Sequence, residues 1–389
     1  MEKQFSKVNR SFNENMKICS SCVMDTSDSL ISFDVDGVCD HCRTYYRYIE
    51  PSWRSESSNT RKILELIEDV KASGNGKEFD CLMGMSGGID SSFALHKMVT
   101  EYGLRPLVFH VDAGWNSQLA VNNIERVVDK LGLDLYTEVI DWKEMRDLQL
   151  SYFKSGVSHI DTPQDHAFFA TMYKFAAKFN IKYILTGGNY ATECIRNPLE
   201  WMWYQSDSTQ LRDIHRKFGT VSLRKFPVTN ILWHKFYLPY VRGIRLKRPL
   251  DLIEYDKEKA TQEMETEYGF QRYPQKHFES RFTRFYESYW LPERFGYDTR
   301  KVQLSSLILT GQMTREEALE DLKKKAYDEQ TIDQDIEYIA TKLGITVEVL
   351  DSYFTMEKKI HKDYKSQESI YSTGAKVMRA LGLEKGGKR

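Results

Sequence analysis

The chain has 389 residues, 41% apolar and 29% charged, with a net charge of −1. That balance is ordinary for a soluble globular protein and argues against a dedicated nucleic-acid binder. The length calls for two or three structural units, and with 23 Tyr, 20 Phe and only 9 Pro extensive disorder is not expected.

No apolar run approaches the roughly 20 residues of a membrane span. The opening MEKQFSKVNRSFNEN is polar and lacks a signal-peptide core, so a cytoplasmic protein is expected. Six cysteines in that compartment are not expected to form disulfides.

Four of the six fall in CSSCVMDTSDSLISFDVDGVCDHC. Cys19 and Cys22 make one C-x-x-C pair, and Cys39 and Cys42 a second. Two such knuckles can close a tetrahedral thiolate shell around zinc. Between them, Ile31, Phe33 and Val35 alternate toward a turn at Asp36-Gly37, the pattern of a short hairpin. The segment 1–55 thus reads as a zinc ribbon. A closed four-sulfur shell leaves no position for water, so the zinc is expected to be structural.

The next signal is MGMSGGIDSSFALHKM. EFDCLMGM (78–85) suits a buried parallel strand, and SSFALHKMVTEYG (91–103) an amphipathic helix. Ser86, Gly87 and Gly88 lie in the turn between them. Glycines there let the backbone curl, and the unpaired amides of a helix start bind phosphate groups. Neither a Walker loop nor a dinucleotide fingerprint is present. Instead, Ser86-Gly87-Gly88-Ile89-Asp90-Ser91 resembles the S-G-G-x-D-S pyrophosphate loop of the ATP-pyrophosphatase (PP-loop) superfamily. The resemblance implies cleavage of ATP between its α and β phosphates, with Ser86 to Ser92 around the leaving pyrophosphate. Magnesium is then needed as well, and Asp90 is the candidate to hold it.

Strand and helix signals continue to alternate. RPLVFHVDAG, LDLYTEVI and IKYILTGGNYATE read as further strands, and SQLAVNNIERVVDKLG as an amphipathic helix. In DTPQDHAFFATMYKFAAKFN, Thr162 is expected as helix cap, with Pro163 at the first position and Asp165 completing a capping box. The predicted fold is α/β, with a four-stranded parallel sheet over 56–250 and ligands beyond the carboxyl ends of its strands. That edge includes Asp165 and His166; a cap and a surface histidine are equally good readings of these two. By the superfamily resemblance, His110, Val111 and Asp112 meet the nucleotide, and Gly187, Gly188 and Asn189 lie near its α-phosphate. Residues 251–389 are expected to be mainly helical, with the tail LEKGGKR frayed.

The motifs CVMDTSD, VDAGWNS, DTPQDHAFFA, LTGGNYATE, RLKRPLDLIEYDK and SSLILTGQMTREEAL together resemble the bacterial N-acetyl-sugar amidotransferases of O-antigen and pseudaminic acid biosynthesis. That family implies adenylation of the acetamido oxygen of an N-acetylated, nucleotide-linked sugar, followed by attack of ammonia to give an acetamidine. Cys81 lies inside a strand and Cys194 has no partner base in the sequence, so ammonia is expected from a separate glutaminase and cyclase-like subunit pair. Trp201, Trp203 and Tyr204 could stack on rings, and Arg196, Arg212 and Arg216 could meet anionic groups; a packed aromatic helix with solvated arginines is the competing reading. Among Lys225, Lys247 and Lys276, Lys247 is the preferred cation for transition-state charge. A tRNA thiolase and a non-catalytic adenine-nucleotide module are the alternative readings.

Overall fold

The short apolar runs become strands of one parallel sheet. A computed structural model describes residues 16–53 and 56–380; the opening MEKQFSKVNRSFNEN and the tail LEKGGKR lie outside these. The strands are β1 Cys81–Gly84, β2 Pro106–Asp112, β3 Leu135–Val139, β4 Tyr183–Leu185 and β5 Arg245–Lys247, in the order β3-β2-β1-β4-β5. All four pairings are parallel. β5 adds a fifth strand to the four expected. Its RLK is exposed throughout and has no apolar run to announce it.

The pleat sends alternate side chains of β1 to opposite faces. Cys81 and Met83 join one apolar cluster with α1 (Glu56–Ser73), α2 (Ile89–Thr100) and α3 (Gln118–Leu131). Leu82 joins the other, with α4 (Trp142–Ser155) and α5 (Thr162–Lys178). Local chemistry sets the helix ends. Ser117 accepts from the Ala120 amide to open α3, and Gly132, at φ +65°, closes it. The start of α5 departs from expectation. Asp161, not Thr162, occupies the cap position, without a side-chain cap bond, and Pro163 stands in the first turn.

The C-terminal region is helical, as expected, but has no core of its own. Helix α6 (Lys257–Tyr268) packs on α2, and Phe282, Phe285 and Trp290 enter the cluster of α4 and α5. The cysteine ribbon is likewise docked. Its four cysteines share a cluster with Trp201, Val302 and Leu309. Val23 donates to Ser305 Oγ, and Arg315 donates to the carbonyls of Cys19 and Cys22.

Strand order reverses between β1 and β4, so the loops after these two strands meet at the point where open α/β sheets bind ligands. Gly187 is glycine because a Cβ there would lie 2.6 Å from backbone atoms of Asp90 and Ser91.

Candidate active site

At this junction opens a cavity of about 890 Å³. Of the residues expected at the nucleotide, Ser86, Gly88, Ile89, Asp90, Ser91, His110, Val111, Gly187 and Gly188 line it. The others support from behind. Gly87, at φ +86°, turns its carbonyl to the Tyr273 hydroxyl at 3.0 Å. Ser92 is fully buried, and its hydroxyl has no partner among the described residues. Asp112 accepts from the Gly114 amide at 2.8 Å, and Asn189 donates to Asp90 at 3.3 Å.

The turn is held by its own hydroxyls. Ser86 Oγ and Ser91 Oγ stand 3.1 Å apart, the Gly88 amide donates to Ser86 Oγ at 3.2 Å, and Ser91 Oγ donates to the Gly88 carbonyl at 3.1 Å. Over it sits Glu279: a Cβ on Gly88 would meet its carboxyl oxygen at 1.9 Å, so any side chain there would displace that carboxylate from the turn. His110 gives its Nδ1 proton to the Met85 carbonyl at 2.7 Å, which leaves Nε2 to accept from Asn116 at 2.8 Å. Both ring nitrogens are thereby committed.

Asp90 is the electrostatic centre. Its carboxylate meets Lys276 Nζ at 3.1 Å and accepts from the Tyr255 hydroxyl. Burial alone would raise its pKa; Lys276, Tyr255 and Lys257 outweigh that and hold it below the usual carboxylate range. Lys276 also pairs with Glu193 at 2.6 Å. Its ammonium loses solvation, but Asp90 and Glu193 more than compensate and push it above the ordinary lysine value. Burial depresses Lys257, only partly offset by Asp90.

The opposite wall is acidic and assembled from distant segments. His159 points its two ring nitrogens at the Trp203 carbonyl and at Asp165 Oδ2, each at 3.2 Å. Gln205 donates to the same Asp165 oxygen at 2.9 Å. Thr283 donates to Asp161 at 2.7 Å. Burial, with Asp165 adding to it, lifts Asp161 well above the carboxylate range. His277 pairs with Glu287 at 3.0 Å; burial opposes its charge, but Glu287 prevails and raises it to about 9. The Tyr286 hydroxyl, on the same wall, is buried without a partner among the described residues.

Other sequence expectations are displaced. Lys247 is exposed on edge strand β5 and lies outside the lining; Lys276 and Lys257 stand at Asp90 instead. Trp201 is fully buried, donating to the Ser27 carbonyl and stacked on Tyr297 against the ribbon. Trp203 donates to Asp207 and stacks on His361. Arg196 and Arg212 are exposed and outside the lining. None of these four reaches the cavity. His166 is not a surface residue: it is buried between the Gln205 carbonyl and the Thr229 amide, and burial lowers it to about 4. Tyr255, Lys257, Glu279, Tyr286 and Glu287 were not expected at the site. The only sequence signal was that the first two sit in the motif RLKRPLDLIEYDK; the other three lie in 279–287, which no quoted motif covers.

Cys19, Cys22, Cys39 and Cys42 bring their sulfurs within 4.8 Å of one another, the one such metal-sized group among the described residues. Neighbouring sulfurs stand 3.6–3.9 Å apart. Tetrahedral zinc–thiolate bonds require about 3.8 Å, so the shell fits zinc. His41 is not a ligand but pairs with Asp28 at 2.9 Å.

Residues 279–378 match the family described as "LPS biosynthesis protein WbpG-like, C-terminal domain". The matched segment, about a quarter of the chain, supplies Glu279, Ser280, Thr283, Tyr286 and Glu287 to the cavity, so this segment and the SGGIDS loop build one site. An uncharacterized protein of Methanocaldococcus jannaschii is 22% identical over 173 residues, covering 43% of this chain and 58% of that protein. The chain thus spans a little over half the length of that relative. Three solved structures are similar at a TM-score of 0.25 to 0.27: NMN synthetase from Francisella tularensis (16% identity, 57% of this chain and 89% of that one), NH3-dependent NAD synthetase from Campylobacter jejuni (12%, 55% and 97%) and NAD+ synthetase from Burkholderia pseudomallei (15%, 59% and 98%). A likeness so slight bears on neither substrate nor reaction. The fold rests on the chain itself, a five-stranded parallel sheet with the SGGIDS turn at its switch point.

Proposed function

We propose that this protein is an ATP-dependent amidotransferase of surface-glycan biosynthesis. It adenylates the acetamido oxygen of an N-acetylated, nucleotide-linked sugar and replaces that oxygen with ammonia, releasing AMP and pyrophosphate. The observation that carries the reading is the single cavity with two unlike walls: the SGGIDS turn and its lysines on one side, the WbpG-like segment on the other.

The first wall suits a triphosphate. The turn offers the Ser86 and Ser91 hydroxyls and amides at the start of α2, and Lys257 and Lys276 supply positive charge. Asp90, held ionised, and Glu279 beside it are hard oxygen donors of the kind magnesium accepts. When bound, magnesium would neutralise charge on the departing pyrophosphate. His110 lies near the end of β2, where by resemblance the nucleoside rests.

The second wall suits the acceptor. Adenylation turns the amide oxygen into a leaving group, ammonia forms the new C–N bond, and AMP leaves with that oxygen. The product amidine is a cation at neutral pH, and a wall bearing Asp165 and Glu287 favours it over a neutral amide. Cys81 and Cys194 offer no thiolase pair. Cys81 is buried in β1; Cys194 packs by the ribbon, its thiol raised to about 12 by burial. The glutaminase and cyclase-like source of ammonia remains part of the proposal, as does the cytoplasmic setting; among the described residues no helix is long and apolar enough to cross a membrane.

The test is pyrophosphate release. It should require both an N-acetylated sugar nucleotide and ammonium, with AMP formed in equal amount. Release unaffected by omitting the sugar, or appearing with tRNA and a sulfur donor instead, would refute the assignment.

A further inference from the structure

From Ile214 to Leu250 the chain contains nine Lys and Arg and no Asp or Glu, although acids and bases nearly cancel over the whole molecule, 56 against 55. The same stretch carries an irregular helix, Trp233–Val241, whose inward seam is His234 and Leu238. His234 stacks on Tyr173 of α5 at 5.4 Å. The other face is open among the described residues: Leu232, Trp233, Phe236 and Tyr237 are exposed, and Tyr240 and Val241 are each 67% exposed. On the edge strand that follows, Leu246 is exposed too, flanked in the chain by exposed Arg245 and Lys247. Monomers rarely leave so contiguous an apolar face in water.

We propose that this face docks on an anionic lipid bilayer, with the helix lying in the plane of the headgroups. Trp and Tyr favour the interfacial layer, where an apolar ring and a polar edge are both satisfied. A one-sided helix with basic neighbours is the composition that binds such a surface without crossing it. A second copy of the chain is a poor occupant, because a two-fold contact would set one acid-free face against another. The helix anchors on α5 and β5, on the flank of the sheet. None of its residues lines the cavity, so the proposal does not depend on the reaction assigned above.

The test is co-sedimentation of the full chain with unilamellar vesicles. Binding should be at least about tenfold stronger to phosphatidylcholine containing phosphatidylglycerol than to phosphatidylcholine alone, and should weaken as salt rises. Phe236→Ser with Tyr240→Ser, and separately Arg245→Glu with Lys247→Glu, should each reduce it by about tenfold or more while circular dichroism and the melting temperature stay unchanged. No binding to the anionic vesicles, or binding that both folded variants retain, would overturn the proposal. So would a concentration-dependent dimer abolished by the same substitutions, which would assign the face to a second copy.

Discussion

The two walls of the cavity are built in opposite ways. The phosphate-side wall comes largely from one contiguous hexamer, Ser86 to Ser91, fixed by hydroxyls two to five residues apart and by backbone packing on Gly187. Its groups balance around Asp90 and two lysines. The acceptor-side wall is gathered from 159–165, Gln205 and 277–287, and carries Asp161, Asp165 and Glu287 against His159 and His277. A site for polyphosphate must place cations and amides at short range, which a turn and a helix start do cheaply. One for a sugar must follow an individual shape, which needs side chains from several segments.

If the first wall handles the nucleotide, Asp90→Asn should have the largest effect. Turnover should fall by about a hundredfold or more while the variant still folds and melts cooperatively at neutral pH. Steady-state pyrophosphate release and differential scanning calorimetry check this. A variant with near-normal rate would remove Asp90 from the chemistry.

Lys276→Ala should come next, lowering kcat by about a hundredfold, because an ammonium poised by Asp90 and Glu193 leaves the site. Lys247→Ala should leave kcat unchanged, since that side chain is exposed on β5. The reverse result would restore the residue that the sequence pattern favoured.

That exchange shows what the sequence could reveal. The hexamer and the cysteine pairs were readable because the chemistry demands neighbours: a turn's hydroxyls and a knuckle's sulfurs lie within a few residues. The sheet was readable from β1 to β4 because β1, β2 and β4 are buried apolar runs, while β3, half-exposed at the other edge, is still rich in aromatic and β-branched residues. β5 was not, since an edge strand can be Arg-Leu-Lys. The sequence favoured Lys247 because it sits in a recognisable motif; it is Lys276 that stands at Asp90, reaching it through a loop 186 residues further along the chain. Trp201 and Trp203 misled for another reason. Aromatic richness reports burial as readily as binding, and here it fills the seams beside the ribbon and His361.

Asp165→Asn tests whether the walls act separately. It removes the charge of a carboxylate that pairs with His159 and accepts from Gln205 on the acceptor side only. KM for the sugar nucleotide should rise about tenfold while KM for ATP holds. An equal rise in both would mean that the walls are one binding unit.

The smallest effect separates the walls by pH. His277 carries a raised affinity for its proton, lifted to about 9 by Glu287, while in the unfolded chain it titrates near the ordinary 6.5. Between these values the folded state binds more protons than the unfolded one, so stability declines as pH rises. The contribution is complete below 6.5 and gone above about 9. It is modest because the His277 side chain is 42% exposed and water screens the pair. His277 also holds a left-handed backbone conformation, at φ +66°, which histidine adopts less readily than glycine. His277→Gln keeps the backbone cost and removes the charge. The melting temperature of the variant should therefore lie below that of the wild type at about pH 6, and the two should converge by about pH 10. Asp90 behaves oppositely. Held ionised by Lys276, it adds stability that is lost only in acid, so the Asp90→Asn difference should shrink as pH falls below the carboxylate range. If the His277 difference instead persisted unchanged at high pH, the ion pair with Glu287 would not be what holds this wall together.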